Sequence, residues 1–321
     1  MTALTELTPF SYHVLILMAV LIIKSVISHF VAHEPLRFFQ FYCLQLGKKV
    51  NNSKNSSQQQ VIAGLLAVLV TLTPIVIILW LFADFVAVDY VWQGLLLYLA
   101  LGALDLGQVN KTIAQALVAK QNYLAKQTLK PWVLRETEQL SIVGLSKASI
   151  EMQLLRSLQQ IYVVAFVFLL FGPLAALSYR LLLEMHYSWN NKLATFSHFG
   201  FYSQLFIALI AWLPSRLMAL FIFISALGNS TKLSWRLSKV HFFKLNSSYV
   251  IAVFAYAIGV RLGGVAMYQQ VKLRKTAFND LAKQPEPRDI IKASSKIKLI
   301  LVSSLMLLSF SAITWQLITF R

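Results

Sequence analysis

One arginine stands among three glycines in the run Ala257-Ile258-Gly259-Val260-Arg261-Leu262-Gly263-Gly264, inside an apolar stretch at 249–267. A guanidinium is a rigid fork of donors that suits phosphate and carbonyl oxygens. Placing one in a membrane segment costs roughly 2.5–3.5 kcal/mol by insertion scales. Glycines weaken a helix there and let backbone or a ligand come close. Together they point to a segment that binds something, with Arg261 as clamp and Gly259, Gly263 and Gly264 opening the backbone around it. The bland alternative is packing, with Arg261 capping the carbonyls of a broken helix.

The other candidates are weaker. Arg216 follows Pro214, which removes a backbone donor, so Arg216 reads equally as a ligand contact or as the group that satisfies the freed carbonyls. Asn246, before Ser247-Ser248, reads as a binding residue or a helix cap. Glu151 is a weak catalytic candidate; on a solvated helix face it would pair with Lys147 four residues earlier. Lys192 lies in a loop between His186 and His198. His29 and His33 stand four apart, but two histidines without a third ligand are poor grounds for a metal, and no metal site is expected. The sequence has neither Gly-x-x-x-x-Gly-Lys-Ser nor Gly-x-Gly-x-x-Gly. With the single Cys43 it cannot build a disulfide framework.

The elements that must position these residues are membrane helices. Hydrophobic residues make up 58% of the 321 and charged ones 13%, with mean hydropathy +0.65, far from soluble composition. Net charge is +17, which basic cytoplasmic loops facing anionic lipid explain better than nucleic acid; no nucleic-acid partner is expected. Apolar runs of spanning length fall near 11–32, 61–83, 90–106, 161–179, 201–226 and 297–319, with 249–267 as a seventh. The segments 33–60, 107–160, 227–248 and 268–296 are all basic, whereas the link at Asp84 and Asp89 has no cation. The charge rule then places both chain ends outside and the loop holding Lys192 outside or at the interface. It also makes 249–267 a re-entrant or broken segment, because its two flanks belong on the same side. The expected fold is an all-α, polytopic helical membrane protein of about five to seven membrane helices. It forms a single membrane domain over 1–321, with a cytoplasmic helical insertion at 107–160 (helices at 109–130 and 134–158) and a broken Gly-rich membrane element. A cleaved signal peptide is not expected.

Motif order then adds a resemblance. Gly259-Val260-Arg261-Leu262-Gly263-Gly264, with Asn246 thirteen residues upstream and Tyr268 after it, resembles the C-terminal signature of the adenosylcobinamide-phosphate synthases, the CbiB/CobD family of cobalamin biosynthesis. Asp289-Ile290 with Ala293, Trp212-Leu213-Pro214-Ser215-Arg216-Leu217, Phe199-Gly200, Tyr179-Arg180, and Glu136-Thr137-Glu138 followed by Ala148-x-Ile150-Glu151 are similar to further elements of that family, in its order. Glu34-Pro35-x-Arg37 is a fainter N-terminal match. The resemblance implies a multi-pass protein of the bacterial inner membrane. It also implies an enzyme that joins adenosylcobyric acid to an aminopropanol-type phosphate with ATP and Mg2+. A corrinoid or its phosphate precursor would then be the ligand of Arg261, Gly259, Gly263, Gly264, Arg216, Asn246 and Lys192.

The departures from the pattern are acidic. No Asp or Glu stands between Glu184 and Asp280, and the positions matching family acids hold Leu155-Arg156, Gln159, His186 and Ile207-Ala208. Magnesium wants carboxylates, so ATP and Mg2+ are expected only if the family activity is retained, and corrinoid binding or scaffolding is the reduced form. The alternative is a non-catalytic inner-membrane regulatory protein resembling AmpE, another acid-poor relative. It would meet a protein partner, or a second copy, through 107–160.

Overall fold

The computed structural model describes residues 8–28, 35–52, 54–226, 238–245 and 247–319. It divides into two units, one comprising Met1–Leu104, Gln159–Ile207 and Ser303–Arg321, the other Asp105–Leu158 and Ala208–Val302. Among the described residues, Pro9–Ser28, Ser57–Ala83, Ile142–Ser188 and Pro287–Thr319 are long and apolar enough to cross a membrane, and the pair Phe201–Ile210 and Trp212–Ile224, bent by 50°, raises the number to as many as five. The fold is that of an all-α polytopic membrane protein with little strand.

The first unit contains helices α1 (Pro9–Ser28), α2 (Arg37–Val50), α3 (Ser57–Ala83), α4 (Asp89–Ala100) and α8 (Val163–Ser188). A capping box at Ser56 and Gln59 starts α3, satisfying two orphan N–H groups reciprocally. The first and last described stretches meet in this unit: the Thr8 N–H donates to Gln316 Oε1 (2.9 Å) and the Ser11 hydroxyl to the Ala312 carbonyl (3.0 Å). Tyr12, one residue further, donates to Asp89 (3.3 Å), so the acidic link lies at the same end. Lys24, buried in α1, donates to the carbonyls of Tyr98 (2.8 Å) and Leu101 (2.5 Å). Those carbonyls close the C-terminal end of α4, where a cation complements both the unpaired oxygens and the helix dipole.

The 161–179 run, expected as one crossing, turns back on itself. Within α8, Gly172 has φ 81° and ψ −176°, and Pro173 follows. That conformation is open almost only to glycine, and proline supplies no N–H to continue the ladder. The Tyr187 hydroxyl donates to Gln159 Oε1 at 2.9 Å, whereas a straight helix would separate these residues by about 42 Å. The element is a helical hairpin. Its second limb carries Arg180 and Glu184, paired at 2.6 Å, with Gln40 of α2 donating to the other Glu184 oxygen (2.7 Å). The loop after it docks on the basic end of α2: Trp189 Nε1 donates to the Cys43 carbonyl (2.8 Å) and Asn51 to the Thr195 carbonyl (2.6 Å). The loop with Lys192 therefore shares its side with Lys48 and Lys49, against the expectation from counting apolar runs.

The second unit begins with α5 (Leu106–Val118) and α6 (Asn122–Leu129), followed after an irregular stretch by α7 (Ile142–Ser157). The helix expected from 134 starts only at Ile142, where Ser141 accepts from the Gly144 N–H (3.2 Å). α9 (Phe201–Ile210) leads into this unit, which also holds α10 (Trp212–Ile224), α11 (Ser248–Ile258), strands β1 (Leu262–Tyr268) and β2 (Val271–Phe278), and the start of α12 (Pro287–Thr319). The strands form an antiparallel hairpin with Tyr268 opposite Val271 and a bulge between Gly263 and Val265. Gln269 and Gln270 both have positive φ (45° and 63°), the geometry of the tight turn that matches strand twist. The apolar run 249–267 is thus half helix and half strand.

Candidate ligand-binding site

The glycine run is the joint between α11 and β1. Gly259 is the left-handed C-cap of α11 (φ 69°, ψ 33°), donating to the carbonyls of Ala255 and Tyr256. The chain then turns alongside Lys283, whose carbonyl accepts from the Arg261 N–H (2.9 Å). Gly263 (φ 74°) and Gly264 (φ 96°) form the bulge, which lets the strand bend. A side chain at Gly263 would sit 2.3 Å from the Thr276 carbonyl oxygen, while Gly259 and Gly264 face open space. All three glycines are thus explained by backbone conformation, and Arg261 is presented from the bend between them.

Two acids hold the hairpin, one at each end. Glu151 on α7 receives Arg135 Nη2 on one oxygen (2.5 Å) and the Gly263 N–H on the other (2.7 Å). Both side chains of this ion pair are nearly buried, where charge-assisted bonds are strong and removing one partner is costly. Glu136 receives the Gln270 N–H at the turn (2.6 Å), and its own N–H donates to the Met267 carbonyl (3.0 Å). On a solvated helix face Glu151 would have paired with Lys147. Arg135 takes that place, because the extended chain before α7 carries it to the carboxylate. Lys147 instead lies in the field of Arg261, Glu151, Asp280 and Arg135, and it makes no ion pair among the described residues.

Arg261 is paired with Asp280 at 3.0 Å, with side chains 37% and 60% exposed. Beyond it, Lys283 pairs with the buried Asp289 (3.2 Å), which also accepts from the Glu286 N–H (2.9 Å) and so caps the start of α12. Lys292 and Lys296 donate to the carbonyls of Ile258 and Ala257 (3.4 and 3.1 Å), closing the end of α11.

Arg216 is committed elsewhere in this unit. Its guanidinium donates to the carbonyls of Phe242, Lys244 and Trp212 and to the Ser215 hydroxyl, and it lies against the rings of Trp212, Phe242 and Tyr249. It staples 242–244 to α10. His241 in the same stretch stacks edge-on against Phe278 of β2 (5.3 Å); burial, and then Lys244, hold its imidazole below the usual range. Asn246, His29 and His33 lie outside the described residues. Lys192 belongs to the first unit, where its N–H donates to Asn190 (3.1 Å). The structure thus gathers Arg261, Gly259, Gly263, Gly264 and Glu151, and adds Arg135, Lys147 and Asp280. Lys147 was marked only by its spacing to Glu151, and Arg135 and Asp280 had no signal beyond their charge, since their meeting depends on the hairpin.

The resemblance implies magnesium and ATP, and the three described acids nearest the glycine bend and the start of α12 are already bonded to cations or backbone N–H groups. Both Glu151 oxygens are engaged, Asp289 is shared between Lys283 and a backbone N–H, and Asp280 faces Arg261. No three metal-ligating side chains converge among the described residues.

Fold and site together define a polytopic helical membrane protein with a glycine-hinged hairpin that presents a cluster of cations. The profile of the family described as CobD/Cbib protein matches residues 16–297, which takes in the whole hairpin and its supports, and the chain belongs to that family. It is 31% identical over 207 residues to the "Cobalamin biosynthesis protein CobD" of Chromobacterium violaceum, covering 64% of this chain and 66% of that protein. The protein of the same name from Stutzerimonas stutzeri is 29% identical over 207 residues (64% and 68%), and that from Leptospira interrogans serovar copenhageni 27% over 224 (67% and 69%). The matched part thus spans about two thirds of each relative. No solved structure gives a significant match.

Proposed function

We propose that this chain works in cobalamin biosynthesis, in the bacterial inner membrane, by binding a corrinoid intermediate or the phosphate precursor joined to it. The observation that carries the reading is the position of Arg261. It lies within the matched family region, is held at a glycine-made bend, and remains partly exposed with the exposed carboxylate of Asp280 against it. A guanidinium so placed can take a phosphate or an amide carbonyl by two parallel donors. Glu151, Glu136 and Arg135 are positioning residues: they fix the hairpin from which Arg261 projects. Because Glu151, Asp280 and Asp289 around the hairpin are engaged with cations and backbone, the reading is of binding without the ATP-dependent amide synthesis that the resemblance implies.

The test has two arms. The purified protein in neutral-lipid nanodiscs is titrated with adenosylcobinamide and with adenosylcobyric acid, following corrinoid absorbance and thermal shift; saturable binding that Arg261→Ala weakens is expected. No response at high micromolar corrinoid overturns the reading and favours an AmpE-like protein with a protein partner. In the second arm the gene is placed in a strain lacking the synthase. Failure to restore cobalamin-dependent growth is expected, and restoration overturns the loss of synthesis.

A further inference from the structure

The stretch 238–245 of the second unit turns large apolar side chains outward. Val240 is 71% and Phe243 82% exposed, and Leu245 is exposed as well. The stretch is held from behind by other groups. Arg216 takes the carbonyls of Phe242 and Lys244, the Phe242 ring stands edge-on to Trp212 (6.2 Å) and Tyr249 (5.2 Å), and His241 meets Phe278. Bonds from the Phe242 N–H to the Lys239 carbonyl and from the Lys244 N–H to the His241 carbonyl make a 3-10 turn, in which residues three apart stack on one side. Val240 and Phe243 therefore share the outward side. Fixing side chains of this size in water is unfavourable, so such a patch marks a surface that something apolar covers.

Two observations say what covers it. The anchor is the first turn of α10, and Phe201–Ile210 with Trp212–Ile224 passes as a pair for a bent membrane span. Leu209 and Leu213, on either side of that bend, are themselves exposed, so the apolar surface of the pair runs up to the stapled turn. The second observation is charge. Lys239 and Lys244 are exposed beside the apolar side chains and form no ion pair among the described residues. No acid stands anywhere between Glu184 and Asp280 to neutralise them. Aromatic and aliphatic side chains interleaved with lysines, next to a membrane helix, match the chemistry of an anionic headgroup layer.

We propose that 238–245 is a wedge seated in the bilayer surface. Val240, Phe243 and Leu245 enter the boundary between headgroups and acyl chains, and Lys239 and Lys244 contact anionic lipid headgroups. Arg216 is the positioning residue of this wedge: its bonds hold the backbone so that the apolar side chains face the lipid. The basic stretch is then a lipid contact in its own right and not a solvated connection.

The experiment uses the full-length protein in nanodiscs of phosphatidylcholine and phosphatidylglycerol at low salt. Phe243→Cys is labelled with bimane under native conditions, where Cys43 is fully buried. Quenching is measured with iodide from the water side and with doxyl-labelled lipids from the bilayer side. Strong quenching by doxyl lipid and weak quenching by iodide are expected. Doxyl-phosphatidylglycerol should quench more than doxyl-phosphatidylcholine at the same mole fraction, reflecting a local enrichment of about fivefold per lysine. In Lys239→Gln/Lys244→Gln the two lipids should quench alike. The labelled position is exposed, and a melting curve checks folding; Val240→Cys gives the same reading if the first variant is unstable. Efficient iodide quenching with little effect of doxyl lipid would show a water-facing stretch and overturn the proposal. Protection from both quenchers would overturn it too, since a protein partner or a second copy then covers the patch. Equal quenching by the two lipids in the parent would refute the headgroup contact of the lysines.

Discussion

Replacing Gly263 by alanine should destabilise the hairpin much more than the same change one residue later. At Gly263 the φ of 74° is left-handed, and the new Cβ would lie 2.3 Å from the backbone oxygen of Thr276 and 3.1 Å from the Phe278 ring. The conformational term is roughly 1–2 kcal/mol. The overlap adds roughly 1–3 kcal/mol, because backbone on the paired strand has to move. At Gly264 the φ of 96° imposes a comparable conformational term, but nothing lies within 4 Å of the added carbon. Gly263→Ala should therefore cost roughly 2–5 kcal/mol and Gly264→Ala about 1–2. The shift at Gly263 also pulls its N–H from Glu151, so the Arg135–Glu151 pair should loosen with it. The assay is thermal unfolding in nanodiscs, together with hydrogen exchange of the peptide covering 262–278. Equal losses in the two variants, or faster exchange in Gly264→Ala, would refute the account of the bulge as a close approach of two strands.

Gly172→Ala should open the return in α8, since φ 81° with ψ −176° excludes a side chain; a crosslink engineered across the Tyr187–Gln159 contact should then form poorly, whereas Phe171→Ala, at an exposed position, should leave it intact. Cys43 is fully buried, and burial, reinforced by Glu184, pushes its thiol up to about 12. Native protein should resist maleimide near pH 8 and react once denatured, because thiolate is the reactive form; rapid labelling of native protein would contradict the packing of α2. For His241 the folded-state value is lowered, so folding favours the neutral ring. The stability it contributes is present above the unfolded value of about 6.5 and is lost as the pH falls below it. Melting temperature should therefore fall on acidification by less in His241→Phe than in the parent; identical pH profiles would remove His241 from the account.

The membrane character and the break in 249–267 were legible because they rest on composition and on glycine spacing, which act locally. The apolar content outweighs everything that water could hold in solution, and three glycines within six residues leave no continuous helix. The hairpin was not legible. Its turn is Gln269-Gln270 instead of the glycine-bearing pairs that signal a tight turn, and β1 reads as apolar helix until its pairing with the basic β2 is known. The return at Gly172-Pro173 had a local sign in the Gly-Pro pair, but apolar residues on both sides hid it in a run of spanning length. The site shows the same division. Arg261 and its glycines stood out by type, whereas Arg135, Lys147 and Asp280 acquire meaning only when Glu151 grips the strand. Arg216 was left open between ligand and carbonyls; its guanidinium bonds to carbonyls and a hydroxyl of its own unit.

The returning helix in the first unit bears on how the chain is threaded during synthesis. A hairpin that goes back to the side it came from adds nothing to the parity of crossings, so every residue after Ser188 keeps the compartment it would have had without the element. Reporter fusions placed after Asn51 and after Asn191 should give the same sign.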